Sequence, residues 1–116
     1  MDIKRGDIVV VDLNPTKGSE QGKIRPSVVL QNDVGNRHSP TTIVAPLTSS
    51  YDKVYPVNVE VKAEDTGLEK DSVILLNQIV TVDKEERIRN KIGTIPSEKE
   101  EEMDRALKIS LGLEPI

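Results

Sequence analysis

The sequence predicts an α+β domain: a strongly twisted antiparallel sheet, or a partly closed SH3-like barrel, with one C-terminal helix. Three observations predict it. Short runs rich in Val, Ile and Leu, separated by Gly, Pro, Asn and Asp, recur from residue 7 to residue 95. Only the stretch after Pro96 carries sustained helical periodicity. The aromatic side chains are just two Tyr, so the core must be aliphatic and largely β-branched, which suits a pleated surface. Strands first and a helix last is the α+β order. With 116 residues, a single domain spanning 1–116 is expected, burying roughly two-thirds of its unfolded surface.

The elements follow in order. Asp7–Leu13 is β-rich after the Arg5-Gly6-Asp7 turn and is stopped by Asn14-Pro15. Pro26–Gln31 reads as a second strand, with Pro at its first position, where no ladder donor is lost. Asp33–Pro40 is a turn or one short helical turn. Thr42–Thr48 is a third strand, made an edge or a bulge by Pro46. Val57–Lys62 alternates cleanly, as a half-exposed strand does. Glu64–Gly67 is a turn. Ser72–Asn77 is a buried strand, continued by Gln78–Val82 after a polar break. Asp83–Glu86 has capping-box spacing and starts a short helix through Arg89; Lys91–Ile95 is a last short strand. Ser97 and Glu100 form a second capping box, and Met103, Ala106, Leu107, Ser110 and Leu111 share one face of the long helix. Its acidic first turn matches the helix dipole.

Composition removes several functions. There is no cysteine, hence no disulfide and no thiolate metal site. His38 is the only histidine and has no partner at zinc spacing, so no metal cofactor is expected. Gly18 and Gly22 do not make a P-loop, because the terminal Lys-Ser/Thr is missing. No apolar segment has the length of a leader or a membrane span, which predicts a cytoplasmic protein with no membrane partner. The net charge of −4 is unevenly spread: residues 14–53 carry five cations and three anions, residues 60–104 seven cations and thirteen anions. A polyanion would favour the first half.

Residues 14–26 are too richly furnished for a connector, which needs two to five residues. They hold Lys17, Ser19, Glu20, Gln21, Lys23 and Arg25. Arg25 precedes Pro26, so its backbone is biased to extended geometry at the mouth of a strand. A guanidinium there can grip a phosphate through two parallel hydrogen bonds. If the second and third strands pair antiparallel, Thr48 meets Arg25. The plainer alternatives are a surface ion pair of Arg25 with Glu20, and a Thr48 hydroxyl bonded to its own backbone.

The chain resembles the MazF/PemK toxins of type II toxin–antitoxin pairs. The resemblance is carried by Arg5-Gly6-Asp7, Pro15–Gln21, Arg25-Pro26, Gln31-Asn32-Asp33, Thr48 after an apolar strand, and Asp71–Gln78, in order and along almost the whole chain. It implies the MazF/Kid/CcdB type of fold, a homodimer, and a metal-independent endoribonuclease that cuts single-stranded RNA at short sequences. The family's catalytic arginine and threonine fall on Arg25 and Thr48, and the glutamate of its Ser-Glu-Gln segment falls on Glu20. A cognate MazE-like antitoxin, acidic and partly disordered, would block the groove.

The chemistry implied is attack by RNA's own 2′-hydroxyl, leaving a 2′,3′-cyclic phosphate and a 5′-hydroxyl. Arg25 and the Thr48 hydroxyl would stabilise the charge on phosphorus. Arginine keeps its proton at almost any pH, which makes Glu20 the chemically easier base. Ser19, Gln21, Asn32, Asn77 and Gln78 are the candidate readers of base edges, and Tyr51 and Tyr55 the candidate stacking platforms. Lys17, Lys23 and Lys53 would hold phosphates. Val9-Val10, Lys23, Ile24 and the 49–56 loop differ from common members, and the loops among them border the expected groove, so the target sequence does not transfer. The rival readings are a CcdB-like gyrase-binding toxin on the same fold without RNase activity, and an inactive nucleic-acid-binding regulator.

Overall fold

A computed structural model describes residues 1–116. Seven strands, all paired antiparallel, make the sheet: β1 (Asp7–Asp12), β2 (Ile24–Val29), β3 (Thr41–Thr48), β4 (Asn58–Val61), β5 (Ser72–Leu75), β6 (Val80–Asp83) and β7 (Ile88–Thr94). The hydrogen-bonded path is β4-β5-β3-β2-β1-β7, with β6 also on β3. No ladder joins β4 to β7, so the path stays open and the expected barrel closure is not made by strand pairing.

The apolar strands are buried on both faces, and neighbouring residues divide between two cores. Ile8, Val28, Ala45 and Leu47 belong to one, together with Met103 and Ala106 of the C-terminal helix. Val9, Val29, Val44 and Val82 belong to the other. Alternate side chains of a strand point to opposite faces, so an uninterrupted Val run fills both.

β3 organises the sheet. One edge pairs with β2; the other pairs first with β6 through Thr41–Val44, then with β5 through Leu47 and Thr48. Pro46 falls in the gap between those two ladders, where no partner strand asks for its missing N–H. The expectation of an edge strand is thus corrected: β3 is central, and the handover accommodates the proline. The polar break at Asn77-Gln78 is the turn between β5 and β6, closed by Gln78 N–H to Leu75 C=O at 3.0 Å.

Four short or terminal helices complete the fold. α1 (Asp33–His38) is capped by the Asn32 side chain, which accepts from Gly35 N at 2.8 Å. α2 (Ala63–Thr66) occupies the expected turn and ends on Gly67, whose φ of 84° is left-handed. α3 (Lys84–Arg87) is capped as expected, with Asp83 accepting from Glu86 N at 2.9 Å, but it stops at Arg87 because Ile88 already pairs in β7. α4 (Glu100–Ser110) buries Met103 and Ala106. The Ser97–Glu100 capping box does not form. The chain enters α4 through a 3₁₀ turn over Ser97–Lys99, and backbone bonds from Lys99 and Glu100 replace the serine cap.

Candidate active site

The β2–β3 ladder ends at the Ser27–Pro46 pair; Arg25, still paired with Val11 of β1, and Thr48, paired with Val73 of β5, each lie two residues beyond it. Both line one open cavity of about 540 Å³. Its other walls come from β7 (Asn90, Ile92), from Val10 of β1, and from the segment Gly67–Lys70. That segment arrives there because β5 begins its pairing beside Thr48, at Val73.

Arg25 is half-buried and anchored through its Nε, which donates to Gly22 C=O at 2.9 Å. It has no carboxylate partner within 4 Å, so the ion pair with Glu20 is absent and both terminal nitrogens are free to donate. Thr48 does bond its own backbone: Oγ1 accepts from Ser50 N at 3.1 Å. Because that oxygen is an acceptor there, the hydroxyl hydrogen stays available to a ligand.

Glu20 sits elsewhere. The loop between β1 and β2 is pinned by Lys23 N–H to Asn14 Oδ1 at 2.8 Å and by Leu13 N–H to Lys23 C=O at 2.9 Å. Within it Glu20 Oε1 accepts from Lys17 N at 3.0 Å. Glu20 faces a second depression, of about 400 Å³, with Gln21, Asn77, Gln78 and Arg87. The structure therefore does not bring Glu20 into the Arg25–Thr48 cavity.

A third depression, of about 560 Å³, joins the two. It shares Gln21, Asn77 and Gln78 with one and Thr48 with the other, and adds Tyr51, Lys53 and Tyr55. The three depressions thus adjoin through shared residues in one row, a trough with Arg87 at one end and Arg25 at the other. The Gln78 amide spans its floor to the loop, donating to Ser19 C=O and accepting from Gln21 N, both at 3.5 Å. Tyr51 donates to Glu60 at 2.7 Å; that bond to a carboxylate pushes the phenol pKa up to about 12 and holds Glu60 below the usual carboxylate range.

Of the sequence-predicted residues, Arg25, Thr48, Glu20, Gln21, Tyr51, Tyr55, Lys53, Asn77 and Gln78 line the trough. Lys17, Ser19 and Lys23 are exposed on the adjoining loop and line none of the three depressions. Asn32 is misplaced by sequence reasoning: it follows the opposite end of β2 from Arg25, and its side chain is spent on capping α1. Gln31 nearby is likewise structural, donating to Asn36 Oδ1 at 3.2 Å and Thr41 C=O at 3.0 Å. Missed entirely were Lys70 and Glu69, which the α2–β5 connection brings to the Arg25 cavity, and Arg87, whose Nη1 donates to Asp12 C=O at 3.2 Å and to Asn14 C=O. No sequence signal marks them, because only the folded path of β3 places them there. No three His, Cys, Asp or Glu side chains converge as a metal site.

An open antiparallel sheet thus carries an Arg–Thr cavity at the β2–β3 strand ends. The family described as PemK-like, MazF-like toxin of type II toxin-antitoxin system matches residues 4–111, and the chain belongs to that family. It is 51% identical over 114 residues to the Endoribonuclease EndoA of Bacillus subtilis (strain 168), covering 97% of each chain. Its fold is similar to MazF from Deinococcus radiodurans, with a TM-score of 0.83 at 27% identity over 97% of this chain and 98% of that one. It is also similar to a MazE–MazF structure from the same organism, with a TM-score of 0.77 at 26% identity over 98% and 99% of the chains. No helix is long and apolar enough to cross a membrane.

Proposed function

We propose that this chain is the toxin of a toxin–antitoxin pair and acts as an endoribonuclease on single-stranded RNA. The observation that carries the reading is the Arg25–Thr48 pair: two uncommitted donors on rigid strand ends, facing one cavity. RNA supplies the nucleophile, its 2′-oxygen, and loses the 5′-oxygen of the next nucleotide. As the 2′-oxygen attacks, negative charge grows on the phosphoryl oxygens. The Arg25 fork and the Thr48 hydroxyl are positioned to take up that charge, and strand-end rigidity supplies the alignment. The 2′-proton leaves to a base and the 5′-oxygen gains a proton, giving a cyclic phosphate and a 5′-hydroxyl. Glu20 serves as helper or orienter from the adjoining depression, after its carboxylate releases Lys17 N–H.

Gln21, Asn77 and Gln78 read base edges along the trough, with Ser19 on the loop above. Tyr51 offers a stacking face, and Lys53, Lys17 and Lys23 meet phosphates. A homodimer fits the exposed apolar set Val54, Tyr55, Leu111, Leu113 and Ile116, two of which, Tyr55 and Ile116, border the trough. A MazE-like antitoxin with acidic side chains would compete for Arg25 and the loop lysines. The test is incubation of purified protein with labelled single-stranded RNA in excess chelator. Discrete fragments, lost in Arg25→Ala, are expected; folded wild-type protein that cuts no RNA pool would overturn the reading.

A further inference from the structure

We infer that Lys70 forms a phosphate-binding subsite on the wall of the Arg25–Thr48 cavity, holding the RNA backbone beside the cut; this rests on the endoribonuclease reading. Lys70 lines that cavity, is exposed, and makes no ion pair with any carboxylate. No other groove cation lines the Arg25 cavity: Arg87 is engaged with two backbone carbonyls in the far depression, Lys53 lines the middle one, and Lys17 and Lys23 stand on the adjoining loop. Arg25 and Lys70 together outnumber the one carboxylate on the wall, Glu69, so the cavity favours an anion.

The wall is fixed in place, so it presents Lys70 at a defined point. Gly67 turns in the left-handed region directly against Ile92 of β7, where an added Cβ would lie 3.3 Å from the Ile92 carbonyl oxygen. Leu68 packs on the main core. Lys70 C=O accepts from Ser72 Oγ at 3.0 Å, and the neighbouring Asp71 accepts from Ala63 N at 2.8 Å. A long, flexible ammonium on a rigid base is suited to contact a phosphate as a point charge. Arg25, by contrast, is tied down at Nε and offers a planar fork. The two cations on one cavity thus divide the work: Arg25 for the reacting phosphate, Lys70 for a neighbouring one.

The test measures binding, and so holds whether or not cleavage is seen. Wild type, Lys70→Ala, Lys70→Arg and the control Lys108→Ala on α4 are titrated with mixed-sequence single-stranded RNA made uncleavable by 2′-O-methyl groups. Lys70→Ala is expected to weaken binding roughly threefold to tenfold at low salt and to lower the slope of log K against log salt by about 0.7, the share of one phosphate on a single strand. Lys70→Arg should retain most of both, and Lys108→Ala should change neither. As the RNA is shortened, the Lys70→Ala penalty should vanish at one length, where the contacted phosphate is lost. Wild-type affinity and slope in Lys70→Ala, or an equal loss in Lys108→Ala, would overturn the subsite. Failure to cleave natural RNA would instead count against the endoribonuclease reading.

Discussion

Arg25 and Thr48 lie on β2 and β3, each two residues past the Ser27–Pro46 pair that ends their ladder, and both open onto the same cavity. Both line that cavity while their side-chain hydrogen bonds go to the backbone, Arg25 to Gly22 C=O and Thr48 to Ser50 N. Removing either should therefore act on the transition state more than on the fold. Arg25→Ala is expected to lower kcat at least about 10²-fold to 10³-fold, the scale for deleting one charge-stabilising donor. Arg25→Lys should recover little, because an ammonium lacks the fork. Thr48→Val should fall similarly and Thr48→Ser should recover most of the loss. Single-turnover cleavage measures all four.

Glu20 gives a sharper discrimination because it starts outside that cavity, accepting from Lys17 N. If its carboxylate takes the 2′-proton, Glu20→Gln should slow single-turnover cleavage about 10²-fold or more and flatten the acid limb of the pH–rate profile. An undiminished rate removes Glu20 from the chemistry and leaves it as a loop residue.

The cavity wall depends on two close backbone approaches. A Cβ on Gly93 would lie 2.3 Å from the Thr66 carbonyl oxygen, which cannot give way as a side chain tip could. Gly93→Ala should cost about 1–3 kcal/mol through overpacking and lower Tm by several degrees. It should also displace the Lys70 segment. Thermal unfolding followed by circular dichroism checks the first effect.

Tyr51 and Glu60 make a pH-dependent contact under the trough. The phenol keeps its proton up to about pH 12 when folded, against an ordinary value of 10.0. A raised folded pKa means the stabilisation is complete below pH 10 and is lost as pH rises through about 12. Glu60 has a lowered pKa, so its share is present above its ordinary 4.5 and is lost as pH falls below that value. Tyr51→Phe should erase the alkaline decline between those two limits relative to wild type. Denaturant titrations across the pH range would register it.

The approach of Arg25 to Thr48 was legible in the sequence. An Arg-Pro step before one apolar run and a Thr ending the next define the meeting point once the runs pair antiparallel. The aliphatic runs also announced the sheet, though its burial on both faces emerges only from the two cores of the structure. What the sequence hid was placement across the chain. Lys70 reaches the cavity only because β3 passes its edge from β6 to β5 at Pro46, a handover that no local pattern encodes. Asn32 misled because a polar residue after a strand is equally a base reader or a helix cap, and the capped amide of Gly35 decides for the cap. Ser97 misled because capping-box spacing leaves open whether the first turn is α or 3₁₀.

The central claim is that the Arg25–Thr48 cavity cuts RNA by recruiting the RNA's own 2′-hydroxyl. The most direct measurement compares an RNA that the protein cuts with the same strand carrying a single 2′-deoxy nucleotide at the cut position, with fragment ends identified by mass. The account predicts a 2′,3′-cyclic phosphate and a 5′-hydroxyl from the all-RNA strand, and no cleavage at the deoxy position. Cleavage there at an unchanged rate, or fragments bearing a 5′-phosphate, would contradict it.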